Sequence, residues 1–161
     1  MSRWLLLSLV VACGARMFQT HAARIGVAIR CAGKAECFAQ TLTVDAATAA
    51  QHAAIYIPDA PTWTADEKTG LVEAEIERGM LELGKLGDAA HTAPLLDHVA
   101  SDNRIIRQSI LLALPKLAKR PCASCVAKLD AAIRAGEGKT SLGDLTLETT
   151  IVRNYFASAR P

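Results

Sequence analysis

Four cysteines stand in two short-range pairs, Cys31 with Cys37 and Cys122 with Cys125, the second pair inside RPCASCVAKL. Three chemistries use thiols at such spacings. At a helix N-terminus a thiolate is stabilised, and a C-x-x-C pair can then exchange with a substrate disulfide. Four thiolates that converge can hold zinc in a tetrahedron. In an oxidising compartment two neighbouring cysteines close as a structural bridge. The choice depends on the compartment and on the elements that carry the thiols.

Other residue types offer less. AGEGKTS, residues 135–141, shares the ending of the phosphate-binding pattern G-x-x-x-x-G-K-[ST] through Gly138, Lys139 and Thr140. Its first glycine would fall at Ile133 and no strand precedes it, so a solvated loop is the simpler reading. Glu73 and Glu77 share a helical face, but without a partner in view they read as a solvated acidic face. Arg78–Glu82 and Glu82–Lys85 are helix pairs worth about 0.2–0.5 kcal/mol each. His91 and His98 are seven apart where a helical metal pair needs four, and His21 and His52 are isolated. No serine sits in a nucleophile elbow. No catalytic residue, metal ligand or cofactor is therefore expected.

The elements that must position the cysteines are helical. Of 161 residues 30 are alanine, while aromatics make up 4%, which favours close helix packing over a β-sandwich. Phe18, Ala22, Ile25, Ala28 and Ile29 recur at helical period, and Phe38, Thr41 and Leu42 follow the CAGKAEC break. DAATAAQHAAI, residues 45–55, reads as a helix capped by Asp45. Pro58 and Pro61 end it. Thr64 and Glu67 form a capping box for a long helix with its stripe at Val72, Ile76, Gly79, Met80, Leu83 and Leu86, closed by Gly87. A helix over about 91–100 points Leu95, Leu96 and Val99 inward. The next is capped by Asp102 and striped by Ile106, Ile110, Ala113, Leu114 and Leu117. Val126, Leu129 and Ile133 mark another, and Leu145, Ile151, Tyr155 and Phe156 the last. One domain of this length buries a sizeable core.

The compartment is read from the N-terminus. Arg3 precedes an apolar run from Trp4 to Ala12 that is too short to cross a bilayer and has the form of a secretory signal. Val10-Val11-Ala12-Cys13 resembles the lipobox of bacterial lipoproteins. The resemblance implies a signal peptide over residues 1–12, cleavage before Cys13 and a diacylglycerol on its thiol, with a further acyl chain on the new N-terminus. Two or more chains make a stable anchor. Gly14, in place of the aspartate that retains enteric lipoproteins at the inner membrane, favours the outer membrane. Removing Arg3 from 18 basic and 16 acidic residues leaves a mature charge of +1. No charge block points to nucleic acid.

Two stretches of the chain repeat. Leu83, Lys85 and Leu86 match Leu114, Lys116 and Leu117 at an offset of 31. Ala93, Leu96 and Val99 match Val126, Leu129 and Ala132 at an offset of 33. Cys37 aligns with Cys125. A helix pair repeating at this period describes a solenoid. MLELGKLGDAAHTAPLLDHVASDNRIIRQSILLALPKL resembles HEAT repeats of the short bacterial type, well over residues 71–135 and weakly over 17–44. It implies an all-α, short right-handed α-solenoid of antiparallel helix pairs over residues 13–161, with 45–66 an irregular insertion or degenerate repeat. Pro115 takes the slot of Gly84, in a helix that is often kinked in that family.

An even number of thiols beyond Cys13, in an exported chain, favours two local bridges, Cys31–Cys37 and Cys122–Cys125. Loop closure alone would contribute about 2.4 kcal/mol for the longer and about 1.9 for the shorter. The expected function is a non-enzymatic, lipid-anchored binding module at the periplasmic face of the envelope. It would hold an unidentified protein partner and meet the membrane through its lipid, with no nucleic acid and no small-molecule ligand. The alternative is an envelope thiol–disulfide oxidoreductase using Cys122 and Cys125.

Overall fold

A computed structural model describes residues 20–136 and 145–158. The signal segment 1–12, Cys13, Phe18 and the Gly138-Lys139-Thr140 loop lie outside the described residues. Within them every regular element is helical. Helix α1 covers residues 20–31. It is followed by α2 (Ala35–Thr41), α3 (Ala46–Ala53), a 3-10 turn (Ala60–Thr62), α4 (Ala65–Leu86), a second 3-10 turn (Ala89–His91), α5 (Thr92–Leu96), α6 (Arg104–Leu117), α7 (Ala123–Gly136) and α8 (Thr146–Ala157). None of these is long and apolar enough to cross a membrane.

The caps explain most boundaries. The Thr64 amide donates to the Glu67 carboxylate at 2.8 Å, and the Glu67 amide returns a bond to the Thr64 hydroxyl at 3.4 Å. Asp45 accepts from the Thr48 amide at 2.7 Å and starts α3. Gly87 ends α4, its amide on the Leu83 carbonyl at 2.8 Å. The cap of α6 is Asn103 rather than the expected Asp102. Its Oδ1 accepts from the amides of Ile105 and Ile106 at 2.9 and 3.3 Å, which are two of the orphan donors of the first turn. Helix α6 runs through Pro115 to Leu117.

Helix α5 is shorter than the expected span of 91–100. From Leu95 onward the amides of His98 and Val99 reach back three residues, to Leu95 and Leu96, so the chain tightens into turns. Leu95, Leu96 and Val99 still point inward. Helix α1 buries Ala23, Val27 and Cys31, and leaves Ile25 and Ile29 of the expected stripe exposed. Leu86 and Ile151, also expected inside, are exposed. Leu86 is the last residue of its helix, and α8 turns Thr149 and Phe156 inward instead.

One core cluster runs from Val27 and Phe38 through Met80, Leu83, Ile110 and Leu114 to Leu129 and Phe156. A second, built mostly of alanine, joins Ala49, Ala50 and Ala53 of α3 to Leu71 and Ala74 of α4. The 45–66 segment thus packs its alanine face on the first half of α4. Gly84 of α4 meets Ala113, and Gly87 meets Leu117, so residue numbers rise together along α4 and α6 and the two helices run in the same direction. Between α7 and α8 they run oppositely: Asp130 pairs with Arg153, and Cys122 bonds Phe156.

Three glycines of α4 separate packing from propensity. A Cβ on Gly79 would overlap the Thr41 hydroxyl and stand 2.8 Å from the Phe38 carbonyl oxygen, and one on Gly84 would stand 2.9 Å from the Ala113 Cβ. One on Gly70 would meet only Thr20, at 3.9 Å. In urea unfolding, Gly79→Ala and Gly84→Ala should each lower stability by about 1–3 kcal/mol. Gly70→Ala should be neutral or stabilising by up to about 1 kcal/mol through helix propensity alone.

Candidate functional site

The four thiols do not converge. Cys31 and Cys37 stand at bonding distance, 2.07 Å between sulfurs, and Cys122 and Cys125 at 1.97 Å. The first bridge spans the reversal from α1 to α2, where Ala32 and Gly33 both take left-handed backbone, at φ 46° and 76°. Left-handed backbone at a non-glycine residue is costly, so a covalent clip across the turn helps to hold it. The second bridge sits at the start of α7. Cys122 precedes the first helical residue and is half-buried, while Cys125 is fully buried in the main core. The Cys125 amide donates to the Cys122 sulfur at 3.2 Å, and the Cys122 amide donates to the Phe156 carbonyl at 3.1 Å. Beside it the Arg120 guanidinium lies 4.2 Å above the Tyr155 ring.

A charged cluster that the sequence reading missed lies at the other end. Glu75 sits on the buried side of α4 with its side chain 3% exposed. Arg30 of α1 donates to it at 2.9 and 3.4 Å. His52 of α3 approaches it through Nδ1 at 3.0 Å. A carboxylate only accepts, so the ring nitrogen facing it serves as the donor of this contact. Cavities of about 160 and about 420 Å³ lie on either side, and Arg30, His52 and Glu75 line both. Nearby, Arg24 of α1 pairs with Glu77. The acidic face expected in solvent is therefore partly inside: Glu75, Glu77 and Glu82 are engaged, Glu82 by Arg78 at 2.7 Å and Lys85 at 3.0 Å, while Glu73 is exposed. His52, read as isolated, is a partner of this cluster. The signal was present in the spacing, because Glu75 stands four residues from both Leu71 and Gly79, which are buried.

Chemically the cluster joins three helices. A histidine held by a carboxylate has the form of a general base, but the described hydrogen bonds bring no serine, threonine or cysteine to His52. His91 is held by Asp88, 3.0 Å from Nδ1, and lies 3.7 Å from Glu36. Among the described residues no three His, Cys, Asp or Glu side chains are arranged to hold a metal ion. No protein-family model, curated protein or solved structure matches the chain.

Removing the Glu75 carboxylate strands Arg30 and His52. Their side chains keep 27% and 33% exposure, so the loss should fall below that of a fully buried pair. Glu75→Ala should cost about 2–3 kcal/mol by urea unfolding. Glu73→Gln should stay within about 0.5 kcal/mol.

Three other carboxyls set an acid limb. The Thr48 amide holds Asp45 below the ordinary 3.8, the Ala90 amide does the same for Asp88, and the Arg153 guanidinium for Asp130. A folded value below the unfolded one gives stability that is present above the ordinary value and is lost as pH falls through the lowered one. Unfolding midpoints should hold from pH 7 down to about 4 and fall below it. Asp130→Asn should flatten that fall.

Proposed function

We propose that the chain is a non-enzymatic, lipid-anchored helical-repeat binding module of the bacterial cell envelope. Its helices would form a short right-handed solenoid of HEAT type, and its partner would be another protein. The observation that carries this reading joins sequence to packing. The sequence repeats Leu83 at Leu114, 31 residues on. In space Gly84 meets Ala113 and Gly87 meets Leu117, at offsets of 29 and 30, with α4 and α6 running in the same direction. Equivalent helices lying side by side at the repeat distance are what stacked repeats require. The same two helices carry large apolar side chains to the surface, Leu81 on α4 and Ile105 and Leu112 on α6, as a protein-binding face would. The lipobox-like VVAC ending at Cys13 supports the anchor.

Crosslinking in native membranes, followed by mass spectrometry, tests both halves. The Cys13 peptide should carry acyl chains, Cys13→Ser should abolish that modification and the cleavage before it, and crosslinks should gather on one envelope protein. A cytoplasmic pool with an unmodified Cys13 would overturn the reading.

One observation favours the thiol–disulfide oxidoreductase as a second reading. Cys122 is the more accessible of its pair and stands at a helix start, the position that stabilises a thiolate. An insulin-reduction assay separates the two. The binding module should show no turnover above background. A rate that Cys122→Ser abolishes would put the enzyme in its place.

A further inference from the structure

Helix α1 is apolar on two opposite faces. Ala23, Val27 and Cys31 pack into the core, while Ile25 and Ile29 stand on the other side, 44% and 61% exposed. The turn after α3 adds Ile55 and Tyr56, 71% and 43% exposed. The Tyr56 ring lies against Gly26, where an added Cβ would come within 2.9 Å of it. Ile29, Ile55 and Tyr56 together ring the mouth of the 160 Å³ cavity. Ile25 stands one turn before Ile29 on the same face of α1, which extends this surface. A soluble helix normally turns one such face to water as polar residues. Here that face is aliphatic.

The chain preceding α1 leads toward the lipid anchor read at Cys13. Residues 1–19 join α1 directly, and only seven steps separate Cys13 from Thr20. Those steps span at most about 25 Å when fully extended. Residues 20–34 contain Arg24, Arg30 and Lys34 and no acidic residue. Glu77 and Glu75 engage the two arginines from beneath, and Lys34 is exposed. Aliphatic side chains with a tyrosine among them, and the exposed Lys34 just past the end of the helix, match the boundary between headgroups and acyl chains. We propose that Ile25, Ile29, Ile55 and Tyr56 form a membrane-docking surface that lays α1 flat on the lipid bilayer. Resting on the anchoring reading above, it makes the domain a body of fixed orientation rather than one swinging on a tether. The opposite end, with Cys122 and α8, is then the end offered to the periplasm. Tethering raises the effective concentration of the patch at the bilayer, so a weak intrinsic affinity suffices.

The test uses the full, processed and lipidated chain in vesicles of phosphatidylethanolamine and phosphatidylglycerol, with plain acyl chains or with chains brominated near the headgroup. Ile29→Trp and Ile55→Trp report from the patch, and Leu112→Trp reports from the outer face of α6, each read against the unsubstituted chain. A docked face sits about 5–10 Å into the boundary region. The tryptophans at 29 and 55 should therefore shift to the blue and lose emission in brominated vesicles, while the one at 112 keeps its emission. Flotation of the vesicles is measured alongside. Vesicles that carry the chain while all three emissions stay unchanged would overturn the docking surface and leave the anchor standing. A chain that does not float with the vesicles would remove the anchor and the docking surface with it. Shielding of the patch tryptophans from aqueous acrylamide without quenching by brominated lipid would mark a second copy or a protein partner on this face, and would equally overturn the proposal.

Discussion

Helices α2, α3 and α6 are all hung on α4, which can be reached from several sides because it is small where these neighbours cross it. Gly79 lets α2 come close enough for the Thr41 hydroxyl, itself bonded to the Phe38 carbonyl at 2.7 Å, to fill the space a side chain would need. Gly84 does the same for α6 at Ala113. Ala74 receives the alanine face of α3. A chain so poor in aromatic residues has few large side chains with which to fill gaps between distant helices. It must obtain dispersion contacts by bringing backbones together instead. Close packing of this kind tolerates little added volume, since interiors are packed to near-crystalline density.

The same helix carries charge into the interior. Glu75 would be expensive there alone, because a buried carboxylate loses its hydration. Arg30 and His52 arrive from two other helices and offset that loss with directed hydrogen bonds. Their contribution is orientation more than net stability. A pair of this kind penalises any rotation of α1 or α3 that would leave the carboxylate bare. The Cys31–Cys37 bridge acts on α1 at the residue after Arg30, holding Cys31 inward and closing the left-handed turn at Ala32 and Gly33. Fixed at both points, α1 has one rotation about its axis, and that rotation turns Ile25 and Ile29 outward.

This is also where the sequence was hardest to read. Capped and striped elements were legible: Thr64 with Glu67, Asp45, and the Ile106–Leu117 stripe of α6 all stand as periodicity and capping chemistry dictate. Helix α1 was not, because a segment apolar around most of its circumference has no hydrophobic direction to point with. Its face was decided by a disulfide and an ion pair 45 residues away in sequence. Glu75 was passed over for a related reason. Pattern reading sends every glutamate to solvent, and only the partners show that this one is inside. Asp102 and Asn103 are both good caps, and the choice went to the side chain whose oxygen reaches two amides. Leu83 and Leu114 match in the sequence, but α5 shortened under local turn bonding that no hydrophobic period encodes.

The two cysteine pairs look alike on paper and differ in setting. Cys31–Cys37 closes a turn that carries its own backbone cost, so its structural task is local and plain. Cys122–Cys125 lies where α7 begins against the end of α8. Its first cysteine is tied by its amide to Phe156, and its second is buried with Leu129 and Phe156. Opening the bridge would leave the Cys125 thiol inside an apolar core, where the thiolate needed for exchange would lack solvation. A redox cycle needs the resolving thiolate as much as the attacking one. The helix start favours chemistry at Cys122, but the burial of Cys125 opposes completing it. That second half of the cycle weighs the pair toward a local clip at the start of α7.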